Sequence, residues 1–391
     1  MSAAAGTAEL RLPSADGGLE PYVIGEPTAF EVGSEPPSSR VAFAAVHVVA
    51  DPLACEPDGH VALDWEATLA FRRHLWAHGL AVAEAMDTAQ RGMGLDWPAA
   101  RELIRRSAAE ARACGGRIAC GAATDQSEPA ELRTLADIRG AYEDQCAFVE
   151  GEGAQAIVMA SRALAAAATS PDDYREVYGA VLSGLERPAI LHWLGPAFDP
   201  ALSGYWGADD LDVAADVLIS IIAEHVDRVD GVKISLLDAG REVALRRRLP
   251  DGVRLYTGDD FNYPQLIAGD GHRHSDALLG VFDAIAPAAA AALRALDAGD
   301  RDRYDELLEP TVPLARKLFQ APTYNYKTGV VFLAFLNGHQ DHFRMVGGQE
   351  SRRSVIHLAE LFALADRAGL LRDPALAVAR MRLVLRLAGV T

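Results

Sequence analysis

The stretch Val-Asp-Gly-Val-Lys-Ile-Ser-Leu-Leu-Asp, residues 229–238, has the pattern of a buried strand that contains one cation. Lys233 stands inside an apolar, β-branched run, where an ammonium group is costly to desolvate. Such a lysine either extends its head to water at the strand end, or it is a desolvated amine with a depressed pKa that can condense with a carbonyl. The ten residues alone favour the first interpretation, and their context favours the second.

Lys233 lies in the sixth of eight short apolar runs, which are Val41–Val49, Leu80–Ala85, Arg117–Ala122, Ala154–Ala160, Pro188–Leu194, Gly231–Leu236, Gly252–Thr257 and Ala277–Phe282. Amphipathic patterns of period 3.6 lie between most of them, for example at Trp65–His78, Pro98–Ala113, Pro171–Leu185 and Ala208–His225. Strands that alternate with helices pair in parallel. Eight such units in about 250 residues predict an α/β fold, a closed (β/α)₈ TIM barrel. An open doubly wound sheet is the alternative, but no glycine fingerprint follows the first strand.

The regions before and after the barrel differ from it in composition. Residues 1–39 are rich in Gly, Pro, Ser and Glu and predict an irregular N-terminal arm with one short hairpin around Tyr22–Ile24. The barrel is predicted over residues 40–298, and residues 299–391 form an all-helical C-terminal extension. This extension is too apolar to stand free, so we expect it to pack on the barrel flank, where it is a candidate oligomer interface.

Composition excludes several classes of partner. The chain has 37 Lys and Arg against 55 Asp and Glu, a formal charge of −18, which argues against a nucleic acid or an anionic membrane surface. Four cysteines without a C-x-x-C motif predict reduced thiols. The first twenty residues lack the basic start and apolar core of a signal peptide, and no stretch is apolar enough to span a membrane. The sequence therefore predicts a soluble, cytoplasmic protein.

Polar residues follow most of the predicted strands. In TIM barrels the chemistry takes place at the carboxyl ends of the strands. Those ends carry, in chain order, His47, Glu84, Asp87, Thr88, Thr124, Asp125, Ser161, Arg162, His192, Trp193, Lys233, Thr257, Asp259 and Asp260. Their convergence with a lysine around one opening indicates a catalytic site.

Three segments carry a resemblance to a known family. Asp230–Ser235 resembles the Schiff-base lysine strand of the dihydrodipicolinate synthase and N-acetylneuraminate lyase superfamily. Tyr256–Asp260 resembles the next strand of that superfamily, with its Gly-Asp-Asp, and Ser275–Gly280 resembles the eighth. Ala44–Pro52 and Ala83–Gly94 are similar to a dihydrodipicolinate-synthase-like branch that has no assigned substrate. The similarity covers about residues 40–340, and Lys233 is its most specific point.

The resemblance implies a class I aldolase barrel. Members of that superfamily form an imine between the lysine and the carbonyl of a 2-oxo acid, without a metal or another cofactor. This chain is accordingly expected to be a lyase of carbohydrate metabolism, an aldolase or dehydratase whose substrate derives from a sugar acid, and a homodimer or homotetramer. The substrate and the choice between cleavage, condensation and dehydration do not follow from the sequence.

Two elements of the superfamily are missing. Its substrate-carboxylate loop, Gly-Thr-Thr-Gly-Glu, is replaced by Met86–Gln90, in which Thr88 is a plausible donor and Asp87 would repel an anion. Its catalytic tyrosine after strand four is replaced by Ser161 and Arg162. Arg162 stays charged, so it can clamp a substrate anion but cannot carry a proton.

Proton transfer therefore needs another residue. His192 is the first candidate because of its pKa and its position at the end of strand five. Tyr256 and Asp260 are second candidates. Each has a structural alternative, since His192 fits a satisfied core histidine and Asp259 and Asp260 fit caps of the next helix as well as partners of substrate hydroxyls.

Two other functions stay open at this stage. Glu84, Asp87, His47 and His192 are oxygen and nitrogen donors that could suit Mn²⁺, Mg²⁺ or Zn²⁺ in a sugar isomerase, epimerase or lyase. The other is a non-catalytic barrel that binds a small molecule through Arg162 and Thr88. The ligand-type residues His339–His342 lie in the C-terminal extension, and they reach a substrate only if the extension folds over the barrel mouth.

Overall fold

The computed structural model describes residues 9–390, and the start of the predicted N-terminal arm, residues 1–8, lies outside them. The described part of the arm contains an antiparallel hairpin of β1 (Glu9–Pro13) and β2 (Leu19–Val23). Tyr22 lies in the second strand, so the hairpin forms close to the position that the sequence predicts. The hairpin lies outside the barrel sheet, and β1 packs against the C-terminal extension.

Eight parallel strands close into one barrel, as predicted, in the order β10-β3-β4-β5-β6-β7-β8-β9. They are β3 (Ala42–Ala45), β4 (Ala81–Glu84), β5 (Ile118–Ala122), β6 (Gln155–Val158), β7 (Ala189–Leu194), β8 (Val229–Ser235), β9 (Arg254–Thr257) and β10 (Asp276–Leu279). Each lies within or overlaps one of the eight apolar runs. The (β/α)₈ barrel prediction is therefore confirmed.

Helices connect the strands and form the outer layer: α1 (Trp65–Ala77), α2 (Trp97–Cys114), α3 (Leu135–Gly151), α4 (Arg162–Ala167), α5 (Pro171–Gly184), α6 (Leu211–Glu224), α7 (Ala239–Arg248) and α8 (Tyr263–Ala268). Helix α2 shows why they begin where they do. The Asp96 side chain accepts a hydrogen bond from Ala99 N at 2.9 Å, and Pro98 lies in the first turn, where its missing N–H costs nothing.

Helices α9 (Val281–Ala284) and α10 (Ala286–Asp297) end the predicted barrel region. The C-terminal extension contains helices and no strand among its described residues: α11 (Arg301–Leu308), α12 (Val312–Leu318), α13 (Tyr326–Leu336), α14 (Val355–Arg367) and α15 (Pro374–Leu387). Short 3₁₀ turns lie at Asp87–Ala89, Pro200–Leu202, Val226–Arg228, Glu309–Thr311, Thr323–Asn325 and Val346–Arg352. Among the helices of residues 9–390, none is long and apolar enough to cross a membrane.

The barrel interior is apolar up to the level of Lys233. Phe43, Ala83, Ile157 and Ile190 belong to its filling, together with the ring of Tyr256. Gly231 makes room for that ring, because a Cβ there would lie 2.7 Å from Tyr256 Cε2. A dry interior below the site keeps water away from the amine above it.

Helix α13 is the central element of the extension, and every residue from Tyr326 to Leu336 is buried. It packs against α9, α12, α14 and α15. Its first turn reaches the carboxyl end of the barrel, where Tyr326 and Lys327 contact the loop after β4. The extension was expected on the barrel flank, but it also covers part of the barrel mouth.

Three histidines join α1 to the extension. The ring of His74 lies 4.4 Å from the ring of His78 and 4.5 Å from that of His339. Burial, the neighbouring imidazoles and the positive charge of Arg372 lower the pKa of His74 to about 3 and that of His339 to about 2. Both rings are therefore neutral in the folded protein at neutral pH.

Acid is expected to weaken this junction. In the unfolded chain His74 and His339 take up protons below their ordinary pKa of about 6.5, whereas in the folded protein they do so only near pH 3. The unfolded state then binds more protons, so stability is full above about pH 6.5 and declines below it. Urea unfolding between pH 7 and pH 4.5 measures this slope. His74→Gln and His339→Gln should each make it shallower, and His60→Gln, at an exposed position, should leave it unchanged.

Candidate active site

Lys233 lies in β8, beside His192 of β7 and Tyr256 of β9 in the strand register. It is 4% exposed, and within residues 9–390 its ammonium makes no hydrogen bond and no ion pair. Burial lowers its pKa, and the negative charges of Asp87 and Asp260 oppose that shift without cancelling it. The amine is therefore desolvated, held among carboxyl groups, and easier to deprotonate than an ordinary lysine.

Asp259, at the end of the neighbouring strand, does not pair with Lys233. One oxygen of Asp259 accepts from the backbone N of Phe261 at 2.9 Å and of Asn262 at 3.1 Å, and the other accepts from Asn262 Nδ2 at 2.9 Å. Asp259 thus holds the turn before α8, which is the capping role that the sequence left open.

Gly258 gives Lys233 its space. A Cβ at this position would lie 2.7 Å from Ile234 O and 2.9 Å from Lys233 Cε. We expect Gly258→Ala to displace the lysine and to lower the rate of imine trapping by about 10²-fold, the usual effect of a 1 Å misplacement. Gly140→Ala is the matched control because nothing lies within 4 Å of its Cβ. A Gly258→Ala protein that traps as fast as the control would contradict the prediction.

Asp87 lies between two lysines. Its Oδ2 is 3.8 Å from Lys327 Nζ and accepts a hydrogen bond from the Tyr326 hydroxyl at 2.9 Å. Burial alone would raise its pKa, but Lys327, Lys233 and His192 together outweigh burial and lower it. Asp87 is therefore ionised and compensates positive charge on both lysines.

His192 has one ring nitrogen near a partner and one without. Its Nε2 lies 3.2 Å from Ser235 Oγ, and its buried Nδ1 has no hydrogen-bond partner in the described part of the chain. Burial and the charge of Lys233 lower its pKa well below the ordinary value. The ring is thus neutral, and it fits a hydrogen-bonding role toward a ligand better than that of a titrating acid.

Asp260 is the second carboxyl near the amine. Its Oδ1 accepts from Val281 N at 2.8 Å, which ties it to the turn after β10. Burial raises its pKa to about 8, against the lowering effects of that hydrogen bond and of Lys233. Asp260 is therefore mostly protonated at neutral pH and can donate a hydrogen bond.

Thr88 and Arg162 lie on different sides of the opening. The Thr88 hydroxyl is buried and lies 2.6 Å from the Tyr326 hydroxyl. Arg162 has a 46% exposed side chain and pairs with Asp199 at 2.6 Å, not with Asp172 or Asp173. Its guanidinium thus stands at the rim, where an anionic group of a ligand could compete with Asp199.

Tyr256 is placed away from the amine. Its hydroxyl donates to Asp230 Oδ2 at 2.6 Å, near the start of β8, beside Arg254 and Asp276. The ring therefore points toward the amino-terminal end of the barrel, opposite to the mouth. This geometry does not support the predicted role of Tyr256 in proton transfer, because the phenol hydroxyl lies at the amino-terminal end of the barrel and not at its mouth.

The four donors of the metal alternative do not converge. Glu84 binds Arg72 through both oxygens, at 2.8 and 2.9 Å, and both side chains are fully buried. His47 Nδ1 lies 2.7 Å from Asp283 Oδ2. Within residues 9–390 there is no group of three or more His, Cys, Asp or Glu that could hold a metal ion. Glu84 and His47 instead stabilise the ends of β3 and β4.

A cavity of about 390 Å³ opens at the carboxyl end of the strands, and a second of about 300 Å³ adjoins it. Both are lined by Asp87, Arg91, Arg162, Leu194 and Asp199, so they form one cleft. His192 and Lys327 also line it. Lys233 does not line either cavity itself, but it lies beside His192, which does, in the strand register.

Two residues at the site were not predicted, Tyr326 and Lys327. They belong to the first turn of α13, in the C-terminal extension, where the sequence pointed to helices and to the segment His339–His342 but to no other site residue. A polar Tyr-Lys pair close to a continuously apolar stretch was the signal available in the sequence.

The four cysteines form no disulfide, in agreement with the prediction of reduced thiols, and Cys114 is exposed.

Several solved structures share this fold. Dihydrodipicolinate synthase from Aquifex aeolicus matches with a TM-score of 0.63 at 15% identity, over 85% of this chain and 99% of its own. The enzyme from Bacteroides thetaiotaomicron gives 0.63 at 14%, over 83% and 98%. The chloride-inhibited enzyme from Acinetobacter baumannii, complexed with pyruvate, gives 0.62 at 15%, over 85% and 100%. At these identities the likeness shows the fold, and it confirms the predicted resemblance at that level.

The sequence itself matches one family. No curated protein matches the chain. A family model described as "Protein of unknown function (DUF993)" covers residues 10–390, which is nearly the whole described chain. The chain therefore belongs to the DUF993 family, with the barrel fold of the dihydrodipicolinate synthases.

Proposed function

We propose that this protein is a lyase that forms an imine between Lys233 and the carbonyl carbon of a 2-oxo acid. One observation carries the proposal: a desolvated, unpaired lysine with a lowered pKa at the carboxyl end of a barrel strand. The likeness to a barrel enzyme that was crystallised with pyruvate supports the choice of a 2-oxo acid.

Formation and breakdown of the imine need only the substrate, Lys233 and water. The neutral amine of Lys233 adds to C2 of the substrate, and the carbinolamine loses water to give the iminium. In a retro-aldol cleavage the electron pair of the C3–C4 bond moves toward the iminium to give an enamine, and the C4 fragment leaves as an aldehyde once its hydroxyl has given its proton to a carboxylate of the site. Protonation of the enamine at C3 and hydrolysis by water return Lys233 and release the 2-oxo acid product.

The cleft suggests what else the substrate carries. A volume of about 390 Å³ exceeds the needs of a three-carbon acid, and hydroxyl, carboxyl and guanidinium groups line it. Three cations line the cleft: Arg91 is bound to Asp125, and Lys327 and Arg162 can take the substrate carboxylate. Carboxyl groups such as Asp125 and Asp199 accept hydrogen bonds from hydroxyls. These features support a hydroxylated 2-oxo acid, as expected for a sugar-acid derivative.

Borohydride trapping tests the proposal. The protein is incubated with pyruvate and with a panel of longer hydroxylated 2-oxo acids, reduced, digested and analysed by mass spectrometry. We expect one stable adduct on the peptide that contains Lys233. Lys233→Arg, which keeps the positive charge but cannot form an imine, should show none. An absence of adduct with every member of the panel, or an adduct on Lys327 alone, would refute the assignment.

A further inference from the structure

We propose that Tyr326, supplied by the C-terminal extension, is the catalytic residue that carries protons to and from C3 of the substrate. This inference rests on the imine chemistry proposed for Lys233. Its basis is the position of the phenol at the barrel mouth, where the hydroxyl lies 2.6 Å from Thr88 Oγ1 and 2.9 Å from Asp87 Oδ2.

The ring of Tyr326 is held rigidly. It stacks on Phe319 at 4.3 Å between ring centres, and Phe198 meets it edge-on at 6.1 Å. Gly280 allows the approach, since a Cβ there would lie 3.1 Å from Tyr326 Cε2. The ammonium of Lys327 lies 4.6 Å from the ring centre. A phenol fixed on all sides loses little entropy when it must hold one orientation toward a reacting atom.

The two partners of the hydroxyl define a relay. Tyr326 donates its proton to Asp87, and the Thr88 hydroxyl can donate to the phenol oxygen. When a C3 proton moves to the phenol oxygen, the phenol proton moves to the carboxylate of Asp87, and the reverse transfer protonates the enamine. No net charge forms on the ring.

Titration is consistent with a neutral relay. Burial and the charge of Asp87 raise the pKa of Tyr326 well above that of a free tyrosine, so the residue keeps its proton at neutral pH. Asp87 also lines the cleft, so a proton that it receives can pass on to solvent or to a bound substrate. The neutral His192 ring, near Ser235, has no carboxylate within hydrogen-bonding distance in the described part of the chain, so it lacks the second half of such a relay.

The test separates imine formation from proton transfer. Exchange of the pyruvate methyl protons in D₂O, followed by NMR, requires both steps, whereas borohydride trapping requires only the first. We expect Tyr326→Phe to be trapped at Lys233 to an extent within about twofold of wild type and to exchange protons ~10²-fold more slowly. Tyr304→Phe is the control, because this buried hydroxyl donates to Pro264 O away from the site.

Each outcome is decisive. Tyr326→Phe that exchanges within about threefold of wild type overturns the role of Tyr326 and leaves the imine intact. Wild-type protein that is neither trapped nor active in exchange overturns the imine proposal and this one with it. If Tyr326→Phe does not fold, Thr88→Val should lower exchange about tenfold more than it lowers trapping, and Thr88→Ser should restore exchange. Equal exchange in the two Thr88 variants contradicts the relay.

Discussion

Lys233→Met is expected to give a protein that unfolds at the same or a higher temperature than wild type and has lost at least ~10³-fold of its proton-exchange activity. The thermal effect follows from burial, since an unpaired ammonium opposes folding and an unbranched apolar side chain of similar length fills its space. Replacing a buried charge in this way stabilises by about 1 kcal/mol or more. In a chain of this size that raises the unfolding temperature by about 1–2 °C.

The two carboxyl groups near Lys233 are not left as uncompensated negative charges when the lysine is replaced. Asp87 keeps Lys327 as a counter-ion, and Asp260, with a pKa raised to about 8, is already largely protonated. Differential scanning calorimetry and methyl exchange with pyruvate measure the two effects on one preparation. Lys317→Met is the control, because it removes a lysine of α12 that pairs with Glu360 of α14, and it should leave the exchange activity unchanged. A Lys233→Met protein with lower stability and intact exchange would make Lys233 a structural residue.

Much of the fold follows from the sequence because it depends on local periodicity. The eight apolar runs and their spacing predict the barrel, and helix boundaries were predicted to within about three residues where caps are strong, as at Asp96. Strand ends were less accurate. The run Val41–Val49 gave only the strand Ala42–Ala45, although the residues that follow are also buried and Val46 N still donates to Ala83 O of β4 at 3.3 Å. Apolar composition alone does not distinguish the residues of a buried strand from buried residues that follow it.

The site residues also differ in how far the sequence predicts their positions. Lys233, His192, Asp87 and Asp260 follow strands of one barrel, so topology alone brings them together. Tyr326 comes from a helix beyond the barrel, and its position depends on how the extension docks, which is a matter of tertiary packing. The replacement of the superfamily tyrosine by Ser161 and Arg162 predicted that another proton carrier is needed. That replacement did not indicate which residue carries the proton.

The charges at the mouth form one connected set. Lys327 and Lys233 are both desolvated, and burial lowers the pKa of each. Asp87 opposes that shift in both. Asp87 therefore influences the protonation of both lysines, together with Asp260 at Lys233 and Asp199 at Lys327. Since the extension supplies Lys327, we expect the docking of α13 to be coupled to the titration of Lys233 through Asp87.

Asp87→Asn tests this coupling and is the second change with a large expected effect. The asparagine keeps the size of the side chain and an acceptor for the Tyr326 hydroxyl, but Lys327 loses its ion-pair partner and Lys233 loses a nearby negative charge. Since Asp87 is 18% exposed, we expect a loss of up to about 3 kcal/mol at pH 7, at the low end for a broken buried pair. The pKa of Lys233 and Lys327 should fall further below the ordinary value of about 10.4.

The sign of the pH dependence separates charge from geometry. In Asp87→Asn the folded state binds fewer protons than the unfolded state below about pH 10, so its stability rises with pH and its deficit against wild type should shrink between pH 7 and pH 9.5. Borohydride trapping should shift to lower pH for the same reason, because more of Lys233 is neutral. Urea unfolding and trapping rates across this range measure both effects. Asp199→Asn, which frees Arg162 at the rim, should show neither trend. A deficit that is equal at every pH would mean that Asp87 acts through its hydrogen bonds, and that the extension does not tune the amine.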